Sequence, residues 1–219
     1  MIRIPIINKE MNISNERLII ECFKDEEPIK RNHWKPTPTD IVLDIGAQYG
    51  VYTILSALSG AYVHAFEPGV FECGYLEKHL QMNQLTNCEI HRMIVHDNSP
   101  YPTEHFKEVF QRRYPIRDAY NTVPHSITLD DFAKSCPNIT MIKIDVEGTE
   151  YHVLNGAQKL LATLHPYLLI EEHSTVYQYP RDIHSQQKIE KLLKDLNYEV
   201  KIVPWGGRSY IIASTDAAK

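Results

Sequence analysis

Apolar runs of strand length alternate along this chain with segments whose apolar residues recur at helical spacing. The strand-length runs are 41–45, 62–67, 88–95, 140–145 and 167–173. Helical spacing is clearest at 148–164, and a second helix fits 183–196. This alternation is typical of βαβ units, so it predicts a largely parallel sheet with helices packed on it. A chain of 219 residues is long enough for one such domain.

The two ends of the chain and one internal segment depart from this alternation. The first residues close with "KPTPTD", whose prolines predict an extension and linker at 1–39 ahead of the main domain at 40–215. Near the other end, "YEVKIVPWGGRSYIIAS" has two β-rich runs around Gly206 and Gly207, which predicts an antiparallel hairpin. Residues 96–127 have no sustained period, so we expect a long loop on the substrate side.

Composition and charge argue against several classes of protein. Hydrophobic residues make up 43% of the chain and charged residues 23%, as in ordinary globular domains. The formal net charge of -5 argues against a broad nucleic-acid interface, although the basic run "QRRYPIR" leaves a local one open. The four cysteines form no C-x-x-C pair, and no apolar stretch reaches transmembrane length. We therefore expect a cytoplasmic protein with reduced thiols.

The stretch "IVLDIGAQYG" predicts a ligand-binding turn between a strand and a helix. Gly46 and Gly50 allow a tight turn and a close approach of a ligand to the backbone. Asp44 ends the strand, where a fixed carboxylate opposes a pyrophosphate and favours a cation. S-adenosylmethionine carries a sulfonium and an ammonium group and no phosphate, which matches an acidic turn. Glu67 follows at about 20 residues, where an acid typically accepts hydrogen bonds from ribose hydroxyls.

Five segments of the sequence resemble FkbM-type methyltransferases. They are "VLDIGAQYGVYT", "AFEPG", "SITLDDF", "MIKIDVEGTEYHVLNGAQKLL" and "PYLLIEEH", in the order and spacing of that family over about residues 40 to 200. The resemblance implies a class I methyltransferase fold, which is Rossmann-like, with a seven-stranded mostly parallel sheet, helices on both faces and a C-terminal antiparallel hairpin. It also implies methyl transfer from S-adenosylmethionine to an oxygen, commonly a hydroxyl of a sugar or a natural product.

The cofactor-binding residues predicted from the turn and the resemblance are Asp44, Gly46, Ala47, Gln48, Tyr49, Gly50, Glu67 and Pro68. Two positions depart from the family pattern. Gln48 stands where the family usually has Asn, and Gly69 follows Pro68 where Asn or Ser is commoner. Both changes keep a small or amide residue near the cofactor.

Methylation of a hydroxyl needs a group that removes the proton while the oxygen–carbon bond forms. Lys143 and Asp145 share one face of "MIKID", and Glu171 and His173 share one face of "LLIEEH", because alternate strand residues point the same way. We predict Asp145 and His173 as candidates for proton removal, with Glu171 orienting them. Lys143 neutralises these acids or holds a substrate carboxylate. The structural alternatives are a helix cap for Asp145, a strand-end hydrogen bond for His173 and an ion pair for Lys143.

Other functions remain open from the sequence. Asp145, Glu171 and His173 also offer donor atoms for a divalent metal, which the resemblance does not require and which we do not favour. A nicotinamide-dependent oxidoreductase shares the βα turn, but Asp44 and the missing G-x-G-x-x-G argue against it. A nucleic-acid methyltransferase and a non-catalytic S-adenosylmethionine-binding module are further alternatives. We expect a small-molecule or glycan acceptor, no nucleic-acid or membrane partner, and an antiparallel edge compatible with a homodimer.

Overall fold

A computed structural model of the chain describes residues 2–6, 9–25, 27–99, 125–173 and 184–215. Its strands are β1 (Ile2–Ile6), β2 (Lys9–Ile13), β3 (Ile41–Ile45), β4 (Tyr62–Phe66), β5 (Cys88–His91), β6 (Met93–Val95), β7 (His125–Ile127), β8 (Met141–Ile144), β9 (Tyr167–Glu172), β10 (Glu199–Trp205) and β11 (Arg208–Ser214). Its helices are α1 (Arg17–Lys24), α2 (Glu27–His33), α3 (Val51–Leu58), α4 (Val70–Met82), α5 (Leu129–Phe132), α6 (Glu150–Asn155), α7 (Gln158–Leu164) and α8 (Ser185–Asp195). Within these ranges, none of the helices combines the length and the apolar character that crossing a bilayer requires.

The central sheet has seven strands in the order β10-β11-β9-β8-β3-β4-β5. Neighbours from β9 to β5 pair in parallel, whereas β11 pairs antiparallel with both β9 and β10. Val42 and Val63 pack in one buried cluster with residues of α3 and α4, and Leu43 and Ile45 pack in a second with residues of α6 and α7. Helices thus cover both faces, which is why the parallel strands are apolar on both sides. The predicted sheet and its C-terminal antiparallel hairpin are confirmed.

The run 88–95, predicted as one strand, is two. β5 pairs with β4 in the central sheet, but β6 pairs in parallel with β7 in a separate two-stranded sheet. The chain therefore changes partner at Arg92, which lies between the two strands and is exposed. The apolar spacing of the run predicts extended backbone correctly, but it carries no information about which neighbour each half will pair with.

The helical pattern at 148–164 is also interrupted, between α6 and α7. A Cβ atom on Gly156 would lie 2.5 Å from the carbonyl oxygen of His96, so the chain approaches the end of β6 too closely for a side chain. The backbone N–H of Asp130 donates to the Gly156 carbonyl at 3.0 Å, which uses an oxygen that a continuous helix would keep. The contact with β6 and α5 therefore divides the predicted helix, while its apolar face stays buried.

The segment 1–39 contains a hairpin of β1 and β2 and the helices α1 and α2 ahead of the "KPTPTD" stretch. Its apolar side chains Phe23 and Trp34 are buried in the same cluster as α3. The indole Nε1 of Trp34 donates a hydrogen bond to Ser56 Oγ at 2.9 Å. The segment is therefore built into the core as well as preceding it, and the boundary at residue 40 stays a prediction. The run "QRRYPIR" and most of the expected loop 96–127 lie outside the described residues.

Four neighbouring parallel strands, β4, β3, β8 and β9, end at one edge of the sheet. Loops that follow parallel strands meet at the carboxyl edge, where open α/β sheets bind their ligands. The segments brought together there are 46–50, 67–69, 145–150 and the residue after β9, His173. The fold thus gathers the residues that the sequence singles out at distant positions.

Candidate functional site

The glycine turn between β3 and α3 lies directly against the end of β8. Gly46 has a φ of 83°, and a Cβ atom there would lie 1.8 Å from the carbonyl oxygen of Asp145. The backbone N–H groups of Gly46 and Ala47 both donate to the carbonyl of Phe66, at 2.9 and 3.0 Å. No side chain fits at residue 46, so the turn needs glycine there for both its conformation and its packing. The turn and Asp145 are therefore in contact through the backbone.

Asp44 lies beneath this turn and is bound to α3. It is 2% exposed, and its Oδ2 accepts a hydrogen bond from Thr53 Oγ1 at 2.6 Å. Burial raises the pKa of Asp44 to about 6, against the opposing effects of the Thr53 hydrogen bond and the charge of Lys143. Asp44 is therefore a buried carboxyl group that connects the end of β3 to α3.

Glu67 ties the turn to the segment after β4. Its Oε2 accepts the backbone N–H of Gln48 at 2.9 Å, and its Oε1 accepts that of Gly69 at 2.7 Å. Gly69 is explained by the same contact, because a Cβ atom there would lie 2.9 Å from Glu67 Oε1 and 2.2 Å from Glu72 Oε2. The predicted ribose-binding acid is thus fixed beside the turn, next to Pro68.

The carbonyl of Tyr49 in the turn is bound by a histidine of α4, His79, which is not among the predicted site residues. Nδ1 of buried His79 lies 2.8 Å from the carbonyl oxygen of Tyr49, and the N–H of Ser14 donates to His79 Nε2 at 3.1 Å. This assigns the proton of the neutral ring to Nδ1. Tyr49 packs edge-on against Tyr75, with ring centroids 5.7 Å apart. Nothing in the spacing of His79 indicates this role, since its partners are Tyr49 in the turn and Ser14, which follows β2.

The side chain of Asp145 belongs to a cluster of acids around the imidazole of His173. Nε2 of His173 is 3.5 Å from Glu171 Oε1, 3.7 Å from Asp145 Oδ1 and 3.9 Å from Glu147 Oε2. Lys143 Nζ lies 3.5 Å from Asp145 Oδ2 and 4.7 Å from the centre of the Tyr52 ring. The structure thus brings together all four side chains predicted for the chemistry: Lys143, Asp145, Glu171 and His173.

Glu150 is a member of this cluster that sequence reasoning missed. It is fully buried, and its Oε1 lies 2.7 Å from His173 Nδ1 and accepts the N–H of Gly148 at 2.9 Å. Burial alone would raise the pKa of Glu150, but the charge and hydrogen bond of His173 outweigh it and lower that pKa. Glu150 is the last residue of "KIDVEGTE", which is part of one of the five segments that resemble the family, so the sequence did contain a signal for it. Its contact with His173 becomes visible only when β9 and α6 are packed together.

Arg208 is a second residue outside the prediction. It comes from β11, which the sequence identifies only as half of a hairpin, and its Nη1 lies 2.7 Å from Glu171 Oε1. Because β11 pairs antiparallel with β9, Tyr210 stands opposite Glu171 and Arg208 lies near the carboxyl end of that strand. The guanidinium therefore compensates an acid that is 1% exposed and would otherwise be costly to bury.

Exposure separates the groups that can reach a substrate from those that support them. The side chains of Asp145 and Glu147 are 31% and 43% exposed, whereas that of His173 is 5% exposed. Burial would raise the pKa of Asp145, but the charges of Lys143 and His173 lower it, so the group is a carboxylate near neutral pH. Asp145 is therefore the predicted catalytic residue most accessible from solvent, with His173 behind it.

The proton on His173 makes stability depend on pH. Burial alone would lower the pKa of His173, but Glu150, Glu171 and Asp145 raise it well above its ordinary value of 6.5. A raised pKa gives a contribution that is complete below the unfolded pKa and is lost as pH rises through the folded one. We therefore expect the free energy of unfolding to be lower at about pH 9 than at about pH 7, because the proton that the folded state holds on His173 stabilises it less as pH rises.

Urea unfolding of the wild type and of His173→Gln at both pH values measures this effect, because the variant lacks the titrating ring. The decrease is expected to be larger in the wild type. An equal decrease in the two proteins would show that other groups cause it.

Several solved structures share this fold at low sequence identity. The methyltransferase FkbM from Methylobacillus flagellatus KT superposes with a TM-score of 0.57 and 18% identity, over 81% of this chain and 44% of that one. A SAM-dependent methyltransferase from Aquifex aeolicus gives a TM-score of 0.52 and 16% identity, over 91% and 93% of the two chains. A putative rRNA methylase from Clostridium thermocellum gives 0.51 and 13%, over 92% and 97%. These likenesses establish the class I methyltransferase fold, and the chain spans less than half of the Methylobacillus protein.

The family itself is established by the sequence. No functionally curated protein matches the chain. A family model described as the methyltransferase FkbM domain matches residues 44–200, from Asp44 at the end of β3 to Val200 in β10. The matched range contains the glycine turn, Glu67 and the acid cluster around His173, and it is more than half of the 219 residues. The resemblance found in the sequence is thereby confirmed, and the chain belongs to the FkbM methyltransferase family.

Proposed function

We propose that this protein transfers a methyl group from S-adenosylmethionine to a hydroxyl oxygen of a small molecule or glycan. The observation that supports this most directly is the contact between Gly46 and Asp145, which puts a carboxylate-bearing residue against the turn that would hold the methyl donor. Hydroxyl methylation needs a proton acceptor next to the methyl group. The family match, which is to methyltransferases, argues against the nicotinamide-dependent alternative.

The proposed cofactor site consists of the glycine turn with Glu67 at its side and Asp44 below it. The ribose hydroxyls of the cofactor would donate to Glu67, which is already oriented by the N–H groups of Gln48 and Gly69. The acids Asp44 and Asp145 make this edge of the sheet electrostatically favourable for a sulfonium and unfavourable for a pyrophosphate. Ala47, Tyr49, Gly50 and Pro68 would contribute backbone and packing contacts.

In the proposed reaction the acceptor oxygen attacks the methyl carbon as the bond from that carbon to sulfur breaks. The hydroxyl proton passes to Asp145, the half-buried carboxylate that adjoins the glycine turn, while neutral S-adenosylhomocysteine leaves. His173 supports Asp145 from 3.7 Å and is itself oriented by Glu150. An imidazole that already carries a proton takes no second one, so His173 accepts the proton only where a bound sulfonium lowers its pKa. Glu171 and Arg208 position the ring from the side of β9.

A divalent metal at Asp145, Glu171 and His173 is the alternative for the same cluster. Their ligand atoms lie within 4.8 Å of one another, which is compatible with a shared ion. Two of these groups, however, already contact cationic side chains: Glu171 is bound by Arg208 and Asp145 by Lys143. A cation would have to displace or repel those partners. We therefore assign this cluster to proton transfer without a metal.

Calorimetric titration tests the cofactor assignment. We expect S-adenosylmethionine to bind the wild type, NAD to give no binding, and Glu67→Gln to weaken S-adenosylmethionine about ten-fold or more, since about 1.4 kcal/mol corresponds to one such factor. The matched control is Glu77→Gln, an exposed acid on α4 that should bind like the wild type. Because Glu67 also ties two loops together, unfolding curves must accompany the titration. Equal affinity in a folded Glu67→Gln variant would remove Glu67 from the site, and binding of NAD in preference would overturn the proposal.

A further inference from the structure

The inference concerns three side chains outside the acid cluster, on the face of the sheet where Phe132 of α5 packs against Phe66 of β4. The geometry points to a binding site for a divalent transition metal, with zinc as the best match, formed by His64, Glu89 and His91. We call these three residues the zinc triad. The proposal does not depend on the proposed methyl transfer, because none of the three belongs to the cofactor turn or to the acid cluster around His173.

The strand register puts the three side chains side by side. β4 and β5 are parallel neighbours in which His64 stands opposite Glu89 and Phe66 stands opposite His91. Alternate residues of a strand point to the same face, so His64 and Phe66 share a face with Glu89 and His91. β5 is the edge strand of the sheet, and the triad therefore lies where an ion can enter from solvent.

The distances between the donor atoms are those of ligands around one ion. His64 Nδ1 lies 3.0 Å from His91 Nε2 and 3.4 Å from Glu89 Oε2, and His91 Nε2 lies 4.0 Å from the same oxygen. Ligands at about 2.0 Å from a tetrahedral zinc ion are about 3.3 Å apart. The three separations bracket that value, so shifts of a few tenths of an ångström would complete the coordination.

Neighbouring side chains hold both imidazole rings in place. Nε2 of His64 lies 3.7 Å from Cys136 Sγ, which gives that nitrogen a partner and leaves Nδ1 for the ion. The ring of His91 stacks on Phe66 at 4.6 Å, and Phe132 packs edge-on against His64 at 5.0 Å.

Two imidazoles and one carboxylate are a donor set that zinc prefers over magnesium or calcium, which take oxygen ligands. The Glu89 side chain is 55% exposed, so solvent reaches the triad on the Glu89 side. An ion at the triad would link the edge strand β5 to β4. The N–H of Glu67 donates to the carbonyl of His91 at 3.1 Å, so the linked strand pair is also the one that leads into the predicted ribose-binding acid.

The test is a titration of chelator-treated protein with zinc alone, followed by calorimetry and by thermal unfolding. We expect about one equivalent to bind and the unfolding temperature to rise with zinc concentration, with no rise for magnesium. His91→Gln and Glu89→Gln are expected to lower zinc affinity about ten-fold or more. Glu89 is exposed, so its variant keeps the experiment decisive if His91→Gln does not fold. Cobalt in place of zinc should give visible absorption in the wild type and not in these variants.

Two further variants locate the bound ion. His125→Gln removes an exposed histidine of β7 and should leave zinc affinity unchanged. His173→Gln should also leave it unchanged, because it removes a donor of the acid cluster only. No binding by the wild type, unchanged binding in Glu89→Gln, or loss in His173→Gln would each overturn the proposal.

Discussion

Replacing Asp145 by Asn is expected to lower the turnover number about a hundred-fold or more while changing S-adenosylmethionine affinity by less than about two-fold. The substitution keeps the size of the side chain and removes the carboxylate that meets the hydroxyl proton. Asp145 contacts the glycine turn through its backbone carbonyl, which the substitution leaves in place. The effect should therefore appear in the chemical step and not in cofactor binding.

Formation of S-adenosylhomocysteine is measured with the acceptor that the wild type methylates best in a panel of hydroxylated small molecules and glycans. Calorimetry of the same variant gives the affinity for the cofactor. Asp195→Asn is the matched control, because Asp195 is an exposed acid at the end of α8 that pairs only with Lys191 in the described structure. Turnover equal to that of the wild type would remove Asp145 from the mechanism. A loss fully explained by weaker cofactor binding would make Asp145 part of the cofactor site instead.

Replacing Gly46 by Ala is expected to destabilise the protein by about 3 kcal/mol or more and to abolish cofactor binding at ordinary concentrations. Two costs add at this position. The φ of 83° is unfavourable for a residue with a side chain, and the new methyl carbon would lie 1.8 Å from a backbone oxygen that has no freedom to rotate away. Either β8 or the turn must move, and both belong to the proposed site.

Gly74 offers the control for the same chemical change. It lies inside α4, and a Cβ atom there meets nothing within 4 Å. Gly74→Ala should therefore stabilise the protein by about 0.5–1 kcal/mol, because alanine loses less backbone entropy in a helix than glycine. Urea unfolding and S-adenosylmethionine titration of both variants give the comparison. A Gly46→Ala variant that is as stable as the wild type and binds the cofactor equally would show that the turn moves freely relative to Asp145.

The spacing of apolar residues along the sequence was sufficient to predict most of the strands. The strands β3, β4, β8 and β9 match the apolar runs in the sequence to within one residue at either end, and the hairpin of β10 and β11 follows from Gly206 and Gly207. Where the pattern failed, a distant contact was the cause. Gly156 interrupts a helix because His96 approaches it, and 88–95 divides because β6 has a partner outside the central sheet.

In the candidate site, too, some residues were predictable from local sequence and others were not. Lys143, Asp145, Glu171 and His173 were found from sequence because each strand places alternate residues on one face, and the ends of parallel strands meet at one edge. The division of 1–39 from 40–215, the roles of these residues, and the cytoplasmic location remain predictions.

The amino-acid sequence by itself determined the strands' apolar runs and the identity of the glycine turn, because these depend on neighbours within about 20 residues. It also determined the family, through the order of its motifs over residues 44–200. Only the tertiary structure decided that Glu150 orients His173, that Arg208 neutralises Glu171, and that His64 lies beside Glu89 and His91. The physical reason is that charge and hydrogen bonding act over a few ångströms in space. Residues 23 or 37 positions apart in the chain reach that range only after the sheet has assembled.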